Sequence, residues 1–169
     1  MKIQAALLAA SGLVLASAAS AQTAGTLILA ATADWDIFSG GPHQPISDPK
    51  VEGGKAVEAL TPGTGGIWEV SGMRPIDGGI AKGDHIVASV WIKSDVATKA
   101  VFRVEARAGS RDRVSDRFID VGTAWSQQVL DFVATDNYPA GTTQVALLLN
   151  SGKQTIDLGP VSVVDKGDK

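Results

Sequence analysis

The strongest strand pattern of the chain is the run Lys82-Gly83-Asp84-His85-Ile86-Val87-Ala88-Ser89-Val90-Trp91-Ile92-Lys93-Ser94, which opens on a Gly-Asp turn. Every second residue from Ile86 to Ile92 is apolar, which is the repeat of a strand that rests one face on a core. The residues between them, Trp91 included, should point away from that core. The run therefore predicts a long strand of an antiparallel sheet with one covered face.

The sequence after the first 21 residues repeats this pattern in shorter segments. Short β-rich runs alternate with turns of Gly, Pro, Asp and Asn, and none keeps a 3.6-residue apolar repeat. Strands are predicted at 26–32, 56–60, 66–70, 85–93, 100–108, 117–121, 126–134, 144–150 and 155–164. Residues 34–54 are predicted to form a long surface loop. The pattern predicts an all-β fold, an antiparallel β-sandwich over residues 22–165 with a frayed tail at 166–169.

Residues 1–21 have the pattern of a signal peptide. Lys2 supplies the positive charge, residues 5–18 the apolar run, and Ala19-Ser20-Ala21 the small-residue cleavage site. No second hydrophobic run follows, so we expect no membrane span. The protein is therefore expected to be exported, either to the periplasm or to the extracellular medium.

The composition excludes several classes of function. The chain has no cysteine, which rules out thiol chemistry, cysteine-bound zinc and disulfides. Its formal net charge is −3, so it lacks the basic character of a nucleic-acid-binding protein. The two histidines, His43 and His85, do not have the spacing of a zinc site. Neither a nucleophile elbow nor a phosphate-binding loop is recognisable.

Two further motifs complete the pattern. The corner Gly122-Thr123-Ala124-Trp125 precedes a predicted strand, and the chain closes on Thr155-Ile156-Asp157-Leu158-Gly159-Pro160. With the Gly83-Asp84 turn, this order resembles the family 4/9/22 carbohydrate-binding modules, galactose-binding-like β-jelly-rolls that are attached to xylanases. The resemblance covers residues 61 to 164. It implies a jelly-roll and non-catalytic binding of a polysaccharide, xylan or another β-glycan, on a concave sheet face. It also implies an accessory role to a glycoside hydrolase acting in trans.

Two tryptophans are candidates for stacking on a sugar ring. The resemblance implies that Trp68, which follows the glycine-rich run Gly63-Thr64-Gly65-Gly66, is the stacking platform. The alternative is a ring that plugs the end of the sandwich. Trp91 lies on the outward side of its strand, where it either contacts ligand or is covered by a loop.

The strand after Trp91 carries Arg103, Glu105 and Arg107 on its outward side. These groups can bind sugar hydroxyls, or they can form a solvated ladder of ion pairs. The two strands are predicted to be adjacent, so Trp91 and the three charged residues are expected to share one face that does not pack on the core. The loop 109–116 would add a charged rim suited to an anionic sugar such as a uronate.

The resemblance also implies a structural calcium ion held by Asp157. Calcium prefers six to eight oxygen ligands, and Asp34 and Asp36 in the first loop are candidates for the others. No other cofactor is predicted.

Two rival functions remain open. One is a periplasmic or envelope protein-interaction module that kept the sandwich and lost the sugar site, which should show a contiguous apolar patch. The other is a small glycan-active hydrolase or lyase, which needs converging carboxylates or a Tyr-His-Arg set. The single tyrosine, Tyr138, lies in a predicted turn, which argues against a lyase.

Overall fold

The structure is a computed structural model that describes residues 25–39, 41–109 and 111–168. The predicted signal peptide lies outside the described residues. Within the described part of the chain, no helix is long and apolar enough to span a membrane.

The described residues form eleven strands and two short 3₁₀ helices. The strands are β1 (Thr26–Thr32), β2 (Asp36–Ser39), β3 (His43–Ser47), β4 (Lys55–Pro62), β5 (Val70–Ile76), β6 (Asp84–Ser94), β7 (Thr98–Ala106), β8 (Arg113–Val121), β9 (Ser126–Val133), β10 (Thr143–Leu148) and β11 (Lys153–Asp168). The 3₁₀ helices are Glu52–Gly54 and Ile67–Glu69.

All strand pairs are antiparallel and they form two sheets. The first sheet has the order β3-β4-β11-β6-β9, with β1 paired to β11, and the second has the order β2-β5-β10-β7-β8. The two sheets enclose one apolar core, which confirms the predicted all-β sandwich. Ile86, Ala88, Val90 and Ile92 are all fully buried in it, as their alternation predicted. The isoleucine and valine side chains each contribute about 1.5–3 kcal/mol of burial free energy.

Residues 34–54 are not the irregular loop that the sequence predicted, because they contain β2 and β3. Both are short and lie at the edges of their sheets, where charged residues and proline are tolerated. Pro45 lies inside β3, and this proline concealed the strand in the sequence. These two strands position the side chains of two clefts described below.

The predicted strand at 66–70 is also wrong. Residues 67–69 form a 3₁₀ turn, closed by Glu69 N–H donating to Gly66 O at 3.1 Å, and the strand begins at Val70. The sequence did not predict β5 because it contains Gly72 and Pro75, and glycine and proline are both rare inside strands. Gly72 is required because a Cβ there would lie 2.5 Å from Leu158 Cδ1 in the opposite sheet.

The last strand is longer than predicted. It pairs with β4 through its first half, with β1 through its second half and with β6 on its other side. Residues 166–168, which were expected to fray, belong to this strand, and Asp168 is paired with Asp84.

Candidate functional site

The outer face of the second sheet carries three rows of side chains. Each row consists of residues that are paired across neighbouring strands. The first row is Phe38, Ser71, Leu148, Val101 and Phe118. The second is Asp36, Met73, Ala146, Arg103 and Asp116. The third is Pro75, Gln144, Glu105 and Arg113. We call this surface the aromatic face, because three exposed rings lie on it.

The three rings are Trp68, Phe38 and Phe118, whose exposed fractions are 64%, 57% and 71%. Phe38 and Phe118 end the first row on the two edge strands, about 19 Å apart along the sheet at the usual strand spacing. Trp68 adjoins the same row, since its carbonyl accepts a hydrogen bond from Ser71 Oγ at 2.8 Å. Exposed aromatic rings of this kind are the groups that stack on apolar ligand surfaces.

The position of the Trp68 ring depends on Gly66. A Cβ at residue 66 would lie 2.4 Å from Cε2 and Cζ2 of Trp68, so one side of the ring packs on the glycine backbone. The large exposed fraction of Trp68 then belongs to its other side. Trp68 does not plug the end of the sandwich.

A cavity of about 220 Å³ lies next to Trp68 on the aromatic face. Its wall is formed by Trp68 and Phe38, and its floor includes Ala146, Arg103 and Glu105. Arg111, from the loop between β7 and β8, reaches across the sheet to this cavity. Its guanidinium carbon lies 5.9 Å from the centre of the Phe38 ring, a cation–π contact that narrows the cavity.

The floor is polar, and most of its groups are already hydrogen-bonded. Glu105 is buried; its Oε1 accepts from Gln144 Nε2 at 2.9 Å, and its Oε2 lies 3.4 Å from Arg103 Nη1. Arg103 Nη2 lies 3.3 Å from Asp116 Oδ2. Arg103 Nε is buried and has no hydrogen-bond partner among the described residues. The ion-pair ladder therefore exists, and it also holds the arginine rigidly beneath the exposed rings.

Arg107 does not join this floor. It lies beyond the end of β7, and its Nη1 donates to the carbonyl of Gly141 in a turn at 3.1 Å. Of the predicted site residues, the structure thus brings together Trp68, Arg103 and Glu105 and leaves Arg107 apart.

Trp91 lies on the opposite side of the molecule, so the prediction that it shares a face with Arg103 and Glu105 is wrong. β6 belongs to the first sheet and β7 to the second, because the chain crosses between sheets at residues 95–97. Trp91 Nε1 donates to Glu52 Oε2 at 3.2 Å, beside the 3₁₀ helix that covers this part of the first sheet. The loop-covered alternative describes its environment.

The surroundings of Asp157 do not fit a calcium ion. Lys93 Nζ lies 3.2 Å from Asp157 Oδ2 and 2.9 Å from Asp48 Oδ2, so an ammonium group occupies the space between the two carboxylates. Trp125 Nε1 also donates to Asp48, at 2.8 Å. Among the described residues, no group of three or more acidic, histidine or cysteine side chains is arranged to hold a metal.

These contacts set the protonation of the cluster. The hydrogen bond from Lys93 and that from Trp125 hold the pKa of Asp48 well below its usual range. The same hydrogen bond to Asp48 raises the pKa of Lys93. Burial raises the pKa of Asp157 against the opposing effect of Lys93. We call Asp48, Lys93, Trp125 and Asp157 the lysine cluster; it fastens the loop after β3 to the first sheet.

Four residues of the aromatic face were missed in the sequence. Phe118 and Gln144 have outward positions in predicted strands, which was a usable signal. Phe38 was hidden in the segment predicted to be a loop. Arg111 lies in the loop 109–116, which was predicted to form a charged rim, and nothing in the sequence indicated that it reaches Phe38.

The fold was compared with known proteins. No protein-family model matches the sequence, and no curated protein is significantly similar to it. The CBM22-1 xylan-binding domain of Paenibacillus barcinonensis Xyn10C is similar in structure, with 13% identity and a TM-score of 0.63, over 88% of this chain and 100% of that one. The second N-terminal cellulose-binding domain of Cellulomonas fimi β-1,4-glucanase C has 15% identity and a TM-score of 0.60, over 85% and 92%.

A family 4 module, CBM4, has 17% identity and a TM-score of 0.61, over 78% of this chain and 86% of that one. At these identities the similarity concerns the fold. The chain therefore has the jelly-roll sandwich fold of the family 4 and family 22 carbohydrate-binding modules, as the resemblance in its sequence implied.

Proposed function

We propose that this protein is a non-catalytic module that binds a glycan chain on its aromatic face, with Trp68 as the main stacking surface. The observation that carries the proposal is the combination of three exposed rings with a rigid polar floor on one sheet face. Aromatic rings stack on the apolar faces of sugars, and fixed polar groups select their hydroxyls. The structurally similar xylan-binding and cellulose-binding domains favour xylan or another β-glycan as the ligand.

The acidic groups at the centre of the face favour binding over hydrolysis. Glycoside hydrolysis requires two carboxylates, of which one donates a proton to the leaving group. Here Glu105 and Asp116 both pair with Arg103, an arrangement that positions the arginine for hydrogen bonding. Export and a glycoside hydrolase acting in trans complete the proposal; the first rests on residues 1–21 and the second on the similar modules.

The three rings also argue against a protein-docking patch as the primary role. Phe118 is separated from Phe38 by the width of the sheet, and the row between them contains Ser71 as well as apolar side chains. Rings spaced along a sheet suit a linear chain of repeating units better than one compact apolar partner.

The test is a titration of the purified protein with xylan, mixed-linkage β-glucan, cello-oligosaccharides and pectic fragments, followed by calorimetry and tryptophan fluorescence. We expect saturable binding of one glycan class with a dissociation constant in the micromolar range or weaker, because few rings contribute and flexible glycans lose entropy. Trp68→Ala should abolish it, while Trp91→Phe, on the opposite face, should retain it. A folded protein that binds none of these glycans would contradict the proposal and direct attention to protein partners.

A further inference from the structure

A larger cavity, of about 710 Å³, opens between the two sheets at the edge where β2 and β5 face β3 and β4. We call it the inter-sheet cleft. It does not include any residue of the cavity beside Trp68. The residues that bear on its chemistry are Trp35, His43, Pro45, Lys55, Val57 and Arg74.

The strand register shows why this cleft is unusual. His43 pairs with Ala59, Pro45 with Val57, and Ser47 with Lys55, and Ala59 is fully buried in the core. These pairs therefore lie on the inner face of the first sheet, where a sandwich ordinarily places interlocking apolar side chains. The polar members leave the space between the sheets open at this edge.

Arg74 enters the same space from the second sheet. It pairs with Val145, which is fully buried in the core, so the Arg74 side chain projects from the inner face of the second sheet. Arg74 Nη1 donates to the carbonyl of Asp34 at 3.1 Å, while its Nε is buried and has no partner among the described residues. A buried donor without an acceptor is costly, and a ligand oxygen would satisfy it.

The two cations of the cleft have no direct ion-pair partner among the described residues, although two aspartates also line it. No described residue forms an ion pair with Arg74 or Lys55. Two acidic residues also line the cleft, but the Asp34 carboxylate accepts the Thr32 hydroxyl at 2.8 Å. Asp36 pairs with Met73 in the row that faces the opposite side of the sheet.

One wall is apolar and rigid. Trp35 is buried, and its Nε1 donates to the carbonyl of Gly159 at 2.8 Å, which fixes the indole in place. Pro45 and Val57 extend this wall from the first sheet. A ring with an apolar surface and a carboxylate fits these features, since the surface would lie on the wall and the carboxylate between the two cations.

We propose that the inter-sheet cleft is a second binding site, independent of the aromatic face, for a small carboxylate-bearing ligand. A uronic-acid residue at the end of a glycan is one source of this chemistry, and a free organic acid is another. Arg74 binds the carboxylate through its unpaired N–H, Lys55 adds a second positive charge, and the Trp35 wall contacts the ring.

The indole N–H of Trp35 gives a local signal for the test. The probe is sodium glucuronate, titrated into the ¹⁵N-labelled protein, with glucose as the neutral control and acetate as the small free acid. We expect glucuronate to shift the Trp35 indole resonance saturably and glucose to leave it unchanged. A stronger response to glucuronate than to acetate assigns the site to sugar acids, and an equal response assigns it to free carboxylates.

Three variants make the assignment specific. Arg74→Met and Lys55→Met should each weaken glucuronate binding about tenfold, which corresponds to about 1.4 kcal/mol. Lys82→Met removes an exposed charge from a distant turn and should have no effect. Lys55 is exposed, so its variant serves even where Arg74→Met disturbs folding.

The proposal fails if glucuronate leaves the Trp35 resonance unmoved, or if glucose moves it equally. It also fails if binding survives in Lys55→Met with unchanged affinity. Trp68→Ala should bind glucuronate normally, so a failure of glycan binding at the aromatic face would leave this result intact.

Discussion

Phe38 and Phe118 occupy the two ends of one cross-strand row, each exposed on an edge strand of the second sheet. The residues between them in the row are Ser71, Leu148 and Val101, which are smaller, and Leu148 and Val101 are buried. Large rings at the edges and smaller groups in the middle make a shallow channel across the strands. The length of this channel leads to a first prediction.

Phe118→Ala should lower affinity for long oligosaccharides and leave the affinity for short ones unchanged. A short oligosaccharide that stacks on Trp68 does not extend across the sheet to β8, whereas a long one does. The loss for long chains should be about tenfold, the scale of one aromatic contact. Calorimetry with an oligosaccharide series measures it. An equal loss for every chain length would show that the ligand does not run along the row.

Gly66→Ala should weaken glycan binding although it removes no contact group. The backbone at residue 66 has φ of −80°, which alanine adopts readily, so the change acts through its added Cβ. That Cβ would collide with the Trp68 ring and displace it from its seat. Affinity should fall in the direction of Trp68→Ala, with little change in Tm. Gly122→Ala, where a Cβ meets nothing within 4 Å, is the matched control.

Arg103→Leu should destabilise the fold by about 2–4 kcal/mol, since it leaves the buried carboxylate of Glu105 without its cation. The double variant Arg103→Leu, Glu105→Gln should recover much of this loss, because the uncompensated charge is gone. Urea denaturation measures both changes in the free energy of unfolding.

The exposed pair Lys99–Asp120 supplies the control for that experiment. Its ion pair is shorter, at 2.6 Å, but both side chains are largely in solvent. Lys99→Leu should therefore cost less than about 1 kcal/mol. If Arg103→Leu and Lys99→Leu lower the free energy of unfolding by the same amount, burial does not govern the strength of the Arg103 network.

The sequence predicted the sandwich because its central strands alternate without interruption. The alternate residues Ile86, Ala88, Val90 and Ile92 of β6, and Phe102 and Val104 of β7, face the core as their pattern required. The edge strands β2 and β3 escaped notice, since edge strands need no complete apolar pattern. Local alternation also cannot say which strands become neighbours, and for this reason Trp91 was placed beside β7.

The candidate site was predicted in part for the same reason. Trp68 could be selected from its glycine-rich context and from the resemblance, and the parity of Arg103 and Glu105 gave their side of the strand correctly. These three residues share one face because β5, β10 and β7 are neighbours in the second sheet, and that pairing joins segments far apart in the sequence. The sequence pattern places Lys93 on the outward side of its strand and gives no sign that Asp48 and Asp157 lie beside it in the fold.

Lys93→Met should lower Tm by several degrees at neutral pH and less in acid. The pKa of Asp48 is depressed by Lys93, so the stability it contributes is present above the unfolded pKa of about 3.9 and is lost as the pH falls towards the folded value. Burial raises the pKa of Asp157 and Lys93 lowers it, so Lys93→Met raises this pKa further, and the variant gains more stability than the native chain when acid protonates the carboxyl. Both effects reduce the difference in Tm between the native chain and Lys93→Met below about pH 4.

Thermal melts of the two proteins across this pH range check the prediction. Lys99→Met, which removes a cation from an exposed pair, should give a gap close to zero at every pH. A gap that widens in acid would mean that Asp48 is not the carboxylate that Lys93 stabilises.

Calcium and EDTA should both leave Tm unchanged. A ligand that binds only the folded state raises Tm with its concentration, and calcium would need several oxygens around Asp157 to do so. Lys93 Nζ, 3.2 Å from Asp157 Oδ2, instead supplies the positive charge at this place from within the chain. A rise in Tm with calcium that magnesium does not reproduce, EDTA reverses and Asp157→Asn abolishes would show that the ammonium gives way to the metal. In the absence of such a rise, Lys93 takes over the electrostatic role that a cation would have beside this aspartate.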